Sequence, residues 1–291
     1  MMNEFFELSN GLKIPKVGLG TWLIDNDKVE EVVECALEAG YRHIDTAQAY
    51  GNEEGVGKAI RKSNIARQDL FITSKIAAEA KTYQEAYDSI NETLNKMGLD
   101  YLDLMIIHSP QPWQEFRDDN RYFKENKKVW KALETAYQEG KVKAIGVSNF
   151  LKDDLENILN SCQIKPMVNQ ILTHISNTKT ELIKFCKEND ILVEAYSPIA
   201  HGAILKNENI IAMANKYNVS VARLCIRYII QLGLVALPKA SSKEHLIDNL
   251  KVDFEISEED MEVLKAIKTI EDYGQDDFFP VFSAKDQKDN R

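Results

Sequence analysis

The sequence predicts an α/β protein, a (β/α)8 TIM barrel with an N-terminal β-hairpin and an extra C-terminal helix and tail. Three observations predict it. Eight short apolar runs alternate with amphipathic helical patterns along the 291 residues. Alternating βα units build a parallel sheet with right-handed crossovers, and eight of them close a barrel. The length suits one such domain over residues 1–291. Reactive side chains fall at the carboxyl ends of the runs, where barrel enzymes keep their chemistry. An open doubly wound sheet is the architectural alternative, but no Gly-x-Gly-x-x-Gly turn follows the first run.

Residues 4–16 read as a hairpin. Phe5, Phe6 and Leu8 precede Asn10-Gly11, the strongest two-residue turn signal, and Leu12 and Ile14 follow. The apolar runs then come at residues 17–20, 43–45, 70–75, 102–108, 144–148, 167–170, 192–195 and 235–238. Helical stripes lie between them. Val29, Val32, Val33, Ala36 and Leu37 make one; Tyr83, Tyr87, Ile90, Leu94 and Met97 a second; Leu151, Leu155, Ile158 and Leu159 a third. Residues 109–128 form a longer insertion after the fourth run. Residues 271–291 form a tail containing Phe278-Phe279-Pro280, with a disordered end expected over 284–291. Long loops at the carboxyl ends of barrel strands shape substrate pockets.

Hydrophobic residues make up 44% of the chain, enough for a full core. A net charge of -10 argues against a nucleic-acid surface, though it leaves room for a local basic pocket. Cys35, Cys162, Cys186 and Cys225 are far apart, without metal-ligand spacing, and fit buried thiols in a reducing cytosol. No signal segment and no apolar run of membrane length occurs, so a soluble cytoplasmic protein is expected. No heptad or exposed apolar strip signals a dimer, and a monomer is the expectation.

Asp45 ends the second run, Tyr50 follows in a glycine-punctuated loop, Lys75 ends the third run and His108 the fourth. A free phenol has a pKa of about 10. A nearby ammonium favours phenolate and is expected to lower that value, and a carboxylate paired with the lysine holds it in place. Tyr50 then serves as general acid or base, with His108 a neutral donor to a carbonyl oxygen. Singly, a strand-end lysine is usually solvated, a tyrosine beside glycine packs a turn, and a strand-end histidine is structural. Four such residues at the carboxyl ends of three consecutive runs point instead to an acid–base site.

Three stretches carry a resemblance to a known family: residues 40–57, residues 143–150 (Lys-Ala-Ile-Gly-Val-Ser-Asn-Phe) and, in part, residues 237–242. Gly18-Leu19-Gly20-Thr21-Trp22 and Glu194-Ala195-Tyr196-Ser197-Pro198 add to it. Over nearly its whole length the chain resembles the aldo-keto reductases, especially the bacterial aldehyde/ketone and diketogluconate reductase-like members. The resemblance implies NADPH-dependent reduction of small aldehydes and ketones. Asp45, Tyr50, Lys75 and His108 match the family's catalytic four, with Tyr50 protonating the carbonyl oxygen, and no metal is needed. Ser148, Asn149 and Gln170 match its carboxamide-binding positions, and Tyr196 the residue that stacks on the nicotinamide. Ser148-Asn149 is also open to a helix N-cap reading, and both roles are compatible. Gly20, Thr21, Trp22, Asp45, Ser197, Pro198 and Asn249 complete the implied cofactor contacts.

The last turn departs from the family pattern. Lys239 is present, but Ala240 stands where a serine or threonine is usual, and His245 where an arginine is usual. Residues 241–244 read as a capping sequence opening a helix, so Ser241 and the helix end join Lys239 as an anion site. Losing a permanent forked cation weakens the NADP preference, and NADH use becomes an expectation. Trp22, Tyr50, His108, Ser109 and Trp113 are expected to line the substrate pocket. Ser109 would make a smaller, more polar wall where relatives carry tryptophan. Trp113 either swings in or packs a surface loop, and Tyr122 and Phe123 could border the mouth. Two rival functions stand beside the reductase. One is a non-catalytic nicotinamide-nucleotide sensor, which needs no acid. The other is a barrel lyase or isomerase using Lys239 for a phosphate, which leaves Ser148, Asn149, Gln170 and Tyr196 without a task.

Overall fold

The computed structural model describes residues 4–270, 273 and 279–282. Strands β1 (Phe5–Glu7) and β2 (Lys13–Pro15) form the expected hairpin, with Phe6 opposite Ile14. Its turn is longer than the two-residue one expected from Asn10-Gly11. The Gly11 N–H donates to the Leu8 carbonyl and the Leu8 N–H to the Leu12 carbonyl, with Gly11 at φ 84°. Glycine alone takes that φ without steric cost, and a three-residue loop closed by an αL glycine fits strand twist.

Eight parallel strands follow: β3 (Leu19–Gly20), β4 (His43–Asp45), β5 (Phe71–Ile76), β6 (Leu104–Ile107), β7 (Ile145–Ser148), β8 (Val168–Leu172), β9 (Leu192–Tyr196) and β10 (Val235–Leu237). They pair in sequence order. The ring closes where Val17 bridges Ala236 in parallel and the Gly18 N–H donates to the Ala236 carbonyl at 2.9 Å. The doubly wound alternative is thereby removed. The barrel strands are buried on both faces, so they read as continuous apolar runs rather than alternating ones.

Around the ring lie α1 (Asn26–Ala39), α2 (Glu53–Lys62), α3 (Tyr83–Met97), α4 (Phe123–Gln138), α5 (Lys152–Leu159), α6 (Thr180–Glu188), α7 (Glu208–Lys216), α8 (Val221–Gln231) and α9 (Lys243–Asn249), followed by α10 (Glu258–Lys265). The stripe from Val29 to Leu37 is wholly buried in α1. In α3, Ile90, Leu94 and Met97 are buried, while Tyr83 and Tyr87 stack on each other outside at 5.8 Å. Thr82 and Glu85 form a capping box on α3, satisfying two backbone donors reciprocally. The expected extra C-terminal helix is α10. A second extra helix, α7, occupies the β9–β10 connection and was not expected.

Two expectations need amending. The four cysteines are free, but only Cys186 and Cys225 are buried; Cys35 and Cys162 are partly exposed. Residues 109–128 are not one insertion, because α4 begins at Phe123. Phe278 and the segment 284–291 lie outside the described residues.

Candidate active site

Lys75 is fully buried inside the barrel. An ammonium has three N–H bonds, and Lys75 uses each: on Asp45 Oδ1 at 2.5 Å, on the Thr46 carbonyl at 2.9 Å and on the Tyr50 hydroxyl at 3.2 Å. Tyr50 thus accepts from the lysine and keeps its own proton to donate. The short helix Gln48–Tyr50 carries it, and Gln48 pins that helix through the Ser89 carbonyl, Thr93 Oγ1 and the Ala77 N–H. Asn52 holds the far side, donating to the Thr21 and Ile24 carbonyls and accepting from Thr46 Oγ1. The chain therefore rigidifies the loop that places the phenol.

Burial opposes the charge on Lys75, yet Asp45 and Tyr50 outweigh it and raise its pKa above the ordinary value. At Tyr50 the balance goes the other way. Burial raises the phenol's pKa, and Lys75 offsets only part of that, with Asp45 adding to the rise. The expectation that the lysine brings the phenol below its ordinary value is corrected here: desolvation of a phenolate costs more than one shared ammonium returns. His108 is held well below its ordinary value by burial and then by Lys75, so its imidazole is neutral. Its ring sits edge-on between Tyr50 at 5.5 Å and Trp113 at 5.1 Å.

These groups floor a cleft of about 690 Å³, within the range of small-molecule sites. The cleft collects Gly20, Trp22, Asp45, Tyr50, His108, Trp113, Ser148, Asn149, Gln170, Tyr196, Ser197, Pro198, Lys239, His245 and Asn249. Five expected residues do not line it. Lys75 lies beneath Tyr50. Thr21 is buried and ties its loop to Asp45 by donating Oγ1 to the Asp45 carbonyl at 2.9 Å. Ser109 is fully buried; its Oγ accepts from the Gln111 N–H, and its carbonyl accepts from Lys81 Nζ. It forms no polar wall. Trp113 supplies an aromatic wall instead, settling that alternative in favour of the cleft. Ala240 and Ser241 are not among its lining residues, and neither are Tyr122 and Phe123, expected at its mouth.

Ser148 and Asn149 do not cap a helix. Ser148 Oγ donates to the Gln170 carbonyl at 2.8 Å. Asn149 sits at φ 61°, sparsely populated for a residue with a Cβ. Its Nδ2 donates to the His108 carbonyl at 3.0 Å, and its Oδ1 accepts from the Tyr196 hydroxyl at 2.7 Å. Backbone strain of this kind persists where the surroundings over-determine it, as here. At the far end of the cleft, Lys239 Nζ donates to the Leu23 carbonyl at 3.2 Å, reaching across to the β3–α1 loop. Helix α9 starts one residue later than the capping sequence implied. Ser242 is its cap, accepting from the His245 N–H, while Ser241 is exposed.

An aldo/keto reductase family model matches residues 16–269. The chain belongs to the aldo/keto reductase family. It is 41% identical over 275 residues to the glyoxal reductase of Bacillus subtilis, covering 94% of this chain and 96% of that protein. It is 38% identical over 286 residues to an aldehyde reductase of Saccharomyces cerevisiae, covering 91% and 90%. An aldo-keto reductase from a Medee basin deep-sea metagenome library superposes with a TM-score of 0.85 at 38% identity over 91% of this chain and 95% of that one. A Bombyx mori aldo-keto reductase in complex with NADP gives 0.84 at 30% identity over 96% and 98%. This chain is therefore an oxidoreductase.

Sequence reasoning missed several side chains of this reductase's cleft. Phe279, Val281 and Phe282 come from the tail, and His201 and Leu205 from the loop after β9. Phe279 packs on Trp22 at 5.3 Å and Trp113 at 4.8 Å, and Phe282 on His201 at 4.4 Å. The local signal was the aromatic cluster at the tail, a segment singled out for its bearing on the pocket but without these residues being assigned to it. Glu194, quoted only as part of a motif, proves to be buried behind Gln170.

Proposed function

We propose that this chain reduces small aldehydes and ketones, including α-dicarbonyls, to alcohols with NADPH, using Tyr50 as the general acid. The observation that carries the reading is the Lys75 ammonium shared between Asp45 and the Tyr50 hydroxyl on the floor of the cleft. When bound, the nicotinamide supplies the hydride that no protein side chain can. The residues present fit it. Gln170 gives both N–H bonds to carboxyl oxygens, and its Oε1 is left to accept from a carboxamide. Tyr196 offers an aromatic face and Asn149 an amide beside it.

A substrate carbonyl oxygen lies within reach of two donors, the Tyr50 hydroxyl and the neutral His108 imidazole. His108 orients the oxygen, and Tyr50 gives up its proton as negative charge develops there. Lys75 then faces a phenolate, and an ammonium–phenolate hydrogen bond replaces the weaker ammonium–phenol one at that moment. Trp22, Trp113, Phe279 and Phe282 keep water from the reacting carbon. At the other end, Lys239 and His245 are the groups offered to the adenosine phosphate. Dual use of NADH follows from the exposed, non-guanidinium His245. We read the enzyme as a single catalytic unit, monomeric and cytoplasmic, in keeping with its four free thiols.

Purified protein, NADPH and a panel of aldehydes, ketones and α-dicarbonyls test the reading by loss of nicotinamide absorbance. Tyr50→Phe should bind cofactor normally and lose turnover by about 10²-fold or more. Near wild-type turnover in that variant sinks the acid assignment, and cofactor binding without turnover in the wild type favours the sensor.

A further inference from the structure

Strand β9 places a second carboxyl inside the barrel, behind the site. Glu194 is fully buried. Its Oε2 accepts from Gln170 Nε2 at 2.9 Å, and the same nitrogen donates to Asp45 Oδ2 at 2.8 Å. One amide thus gives both N–H bonds to two carboxyl groups. One ammonium serves the pair, and its three N–H bonds go to Asp45, Thr46 and Tyr50. Glu194 receives none of them.

Among the described residues, the titratable groups facing Glu194 come from two strands. On β4, His43 Nε2 lies 3.7 Å from Glu194 Oε1 and meets Thr73 Oγ1 at 3.1 Å instead. Burial, followed by Lys75, pulls His43 down to about 3, so its ring is neutral. Asp45, also on β4, stands beyond Gln170, and Lys75 on β5 stands beyond Asp45. Strands β3, β8 and β10 contribute no titratable side chain. A charge on Glu194 would therefore meet no cation of its own, and two anions would share one amide in a dry interior.

We propose that Glu194 is a positioning residue of the reductase site: it holds a proton, and in that neutral form it fixes Gln170 against Asp45 so that Lys75 neutralises Asp45 alone and faces Tyr50 as a full cation. The inference rests on the reading of Tyr50 as acid. Burial, with Asp45 next, pushes the Glu194 carboxyl up to about 8. Above that pH a second negative charge enters the network. It holds the Lys75 and Tyr50 protons more tightly, and Tyr50 becomes a weaker acid.

Glu194→Gln keeps the shape and cannot ionise. In the wild type, kcat/KM for carbonyl reduction plotted against pH should show an inflection near pH 8 that the variant lacks. Stability gives an independent readout. The native chain keeps on Glu194 a proton that the unfolded chain releases above about pH 4.5. The contribution of Glu194 to wild-type stability therefore falls as pH rises from about 4.5 to about 8 and levels off beyond. The Tm of Glu194→Gln relative to wild type should rise through that window. If the variant does not fold, infrared difference spectra of the wild type across pH 8 serve instead, and should show a protonated-carboxyl band disappearing. An inflection that survives in Glu194→Gln, a Tm difference independent of pH, or no such band overturns the proposal. Full turnover in Tyr50→Phe would remove the acid reading and leave the Glu194 stability slope in place, so the two failures are distinguishable.

Discussion

Lys75 and Tyr50 share a hydrogen bond, and burial disfavours the charged form of each, lowering the lysine's pKa and raising the phenol's. Both lose hydration; the lysine recovers it from Asp45, whereas the phenol gains only a part-share of the ammonium. The resting site therefore holds a cation, a neutral phenol and a neutral imidazole, all in the state that the proposed reduction needs. Because the phenol lies above its ordinary value, deprotonation limits reduction only at strongly alkaline pH, apart from the Glu194 step. At the other end of the cleft, Lys239 is exposed and hydrogen-bonded to a carbonyl, and a phosphate offers it a stronger partner. Lys239→Ala should lower kcat/KM for NADPH by about tenfold or more and leave NADH unchanged, the loss of one charge-assisted bond. His245→Arg should move the NADPH/NADH ratio about tenfold the other way. Steady-state kinetics with both cofactors decide this, and an NADPH preference that survives Lys239→Ala means the phosphate is held elsewhere.

Gly55 and Gly57 show why elements were easier to find than to bound. In the sequence they punctuate what reads as a loop around Tyr50. In the fold they lie inside α2, where glycine is an unfavourable helix former. They are there for packing: a Cβ on Gly57 would collide with the backbone of Met97 at the end of α3, and one on Gly55 with Asn26 and Val29 of α1. Gly57→Ala should cost roughly 1–3 kcal/mol through overpacking despite its better helix propensity. A Tm lowered by several degrees in a thermal melt checks this, and a raised Tm would mean that the helices part freely. The eight strands were legible because each is a short apolar run between helical stripes, and residues 43–45 appear with the same bounds. Ends were less legible. Tyr196 and Leu172 extend their strands because their backbones find neighbouring partners, which a local pattern does not record. Helix α7 buries only Ile210 and Ala214, too narrow a stripe to announce itself.

The four residues proposed as catalytic were legible because Asp45, Lys75 and His108 end runs and Tyr50 follows one in the next loop, where the fold converges whatever lies between. Other contacts of the site are made between segments far apart in the chain and are not written in a local pattern: Gln170 meets Asp45 across the barrel, and the tail meets Trp22 and Trp113 across the mouth. The tail is held in turn from β8. His174, fully buried just past that strand, has its Nε2 2.9 Å from the Tyr273 hydroxyl, and Asn177 Nδ2 donates to the same oxygen at 3.4 Å. The Tyr273 ring packs on Phe282 at 5.1 Å, and Phe282 on Trp22 at 5.9 Å. A chain of contacts thus runs from the end of a barrel strand to the wall of the substrate pocket, bypassing Tyr50 and Lys239. Tyr273→Phe keeps the ring and removes the hydroxyl, leaving His174 Nε2 buried without this partner, at a cost of about 1–3 kcal/mol. If that cost falls on the tail alone, the aromatic wall loosens while the catalytic floor and the adenosine end stay as they are. KM for carbonyl substrates should then rise several-fold, the NADPH Kd from fluorescence titration should not move, and kcat at saturation should change little. An equal loss of cofactor affinity would show that the tail belongs to the nucleotide site rather than to the carbonyl pocket.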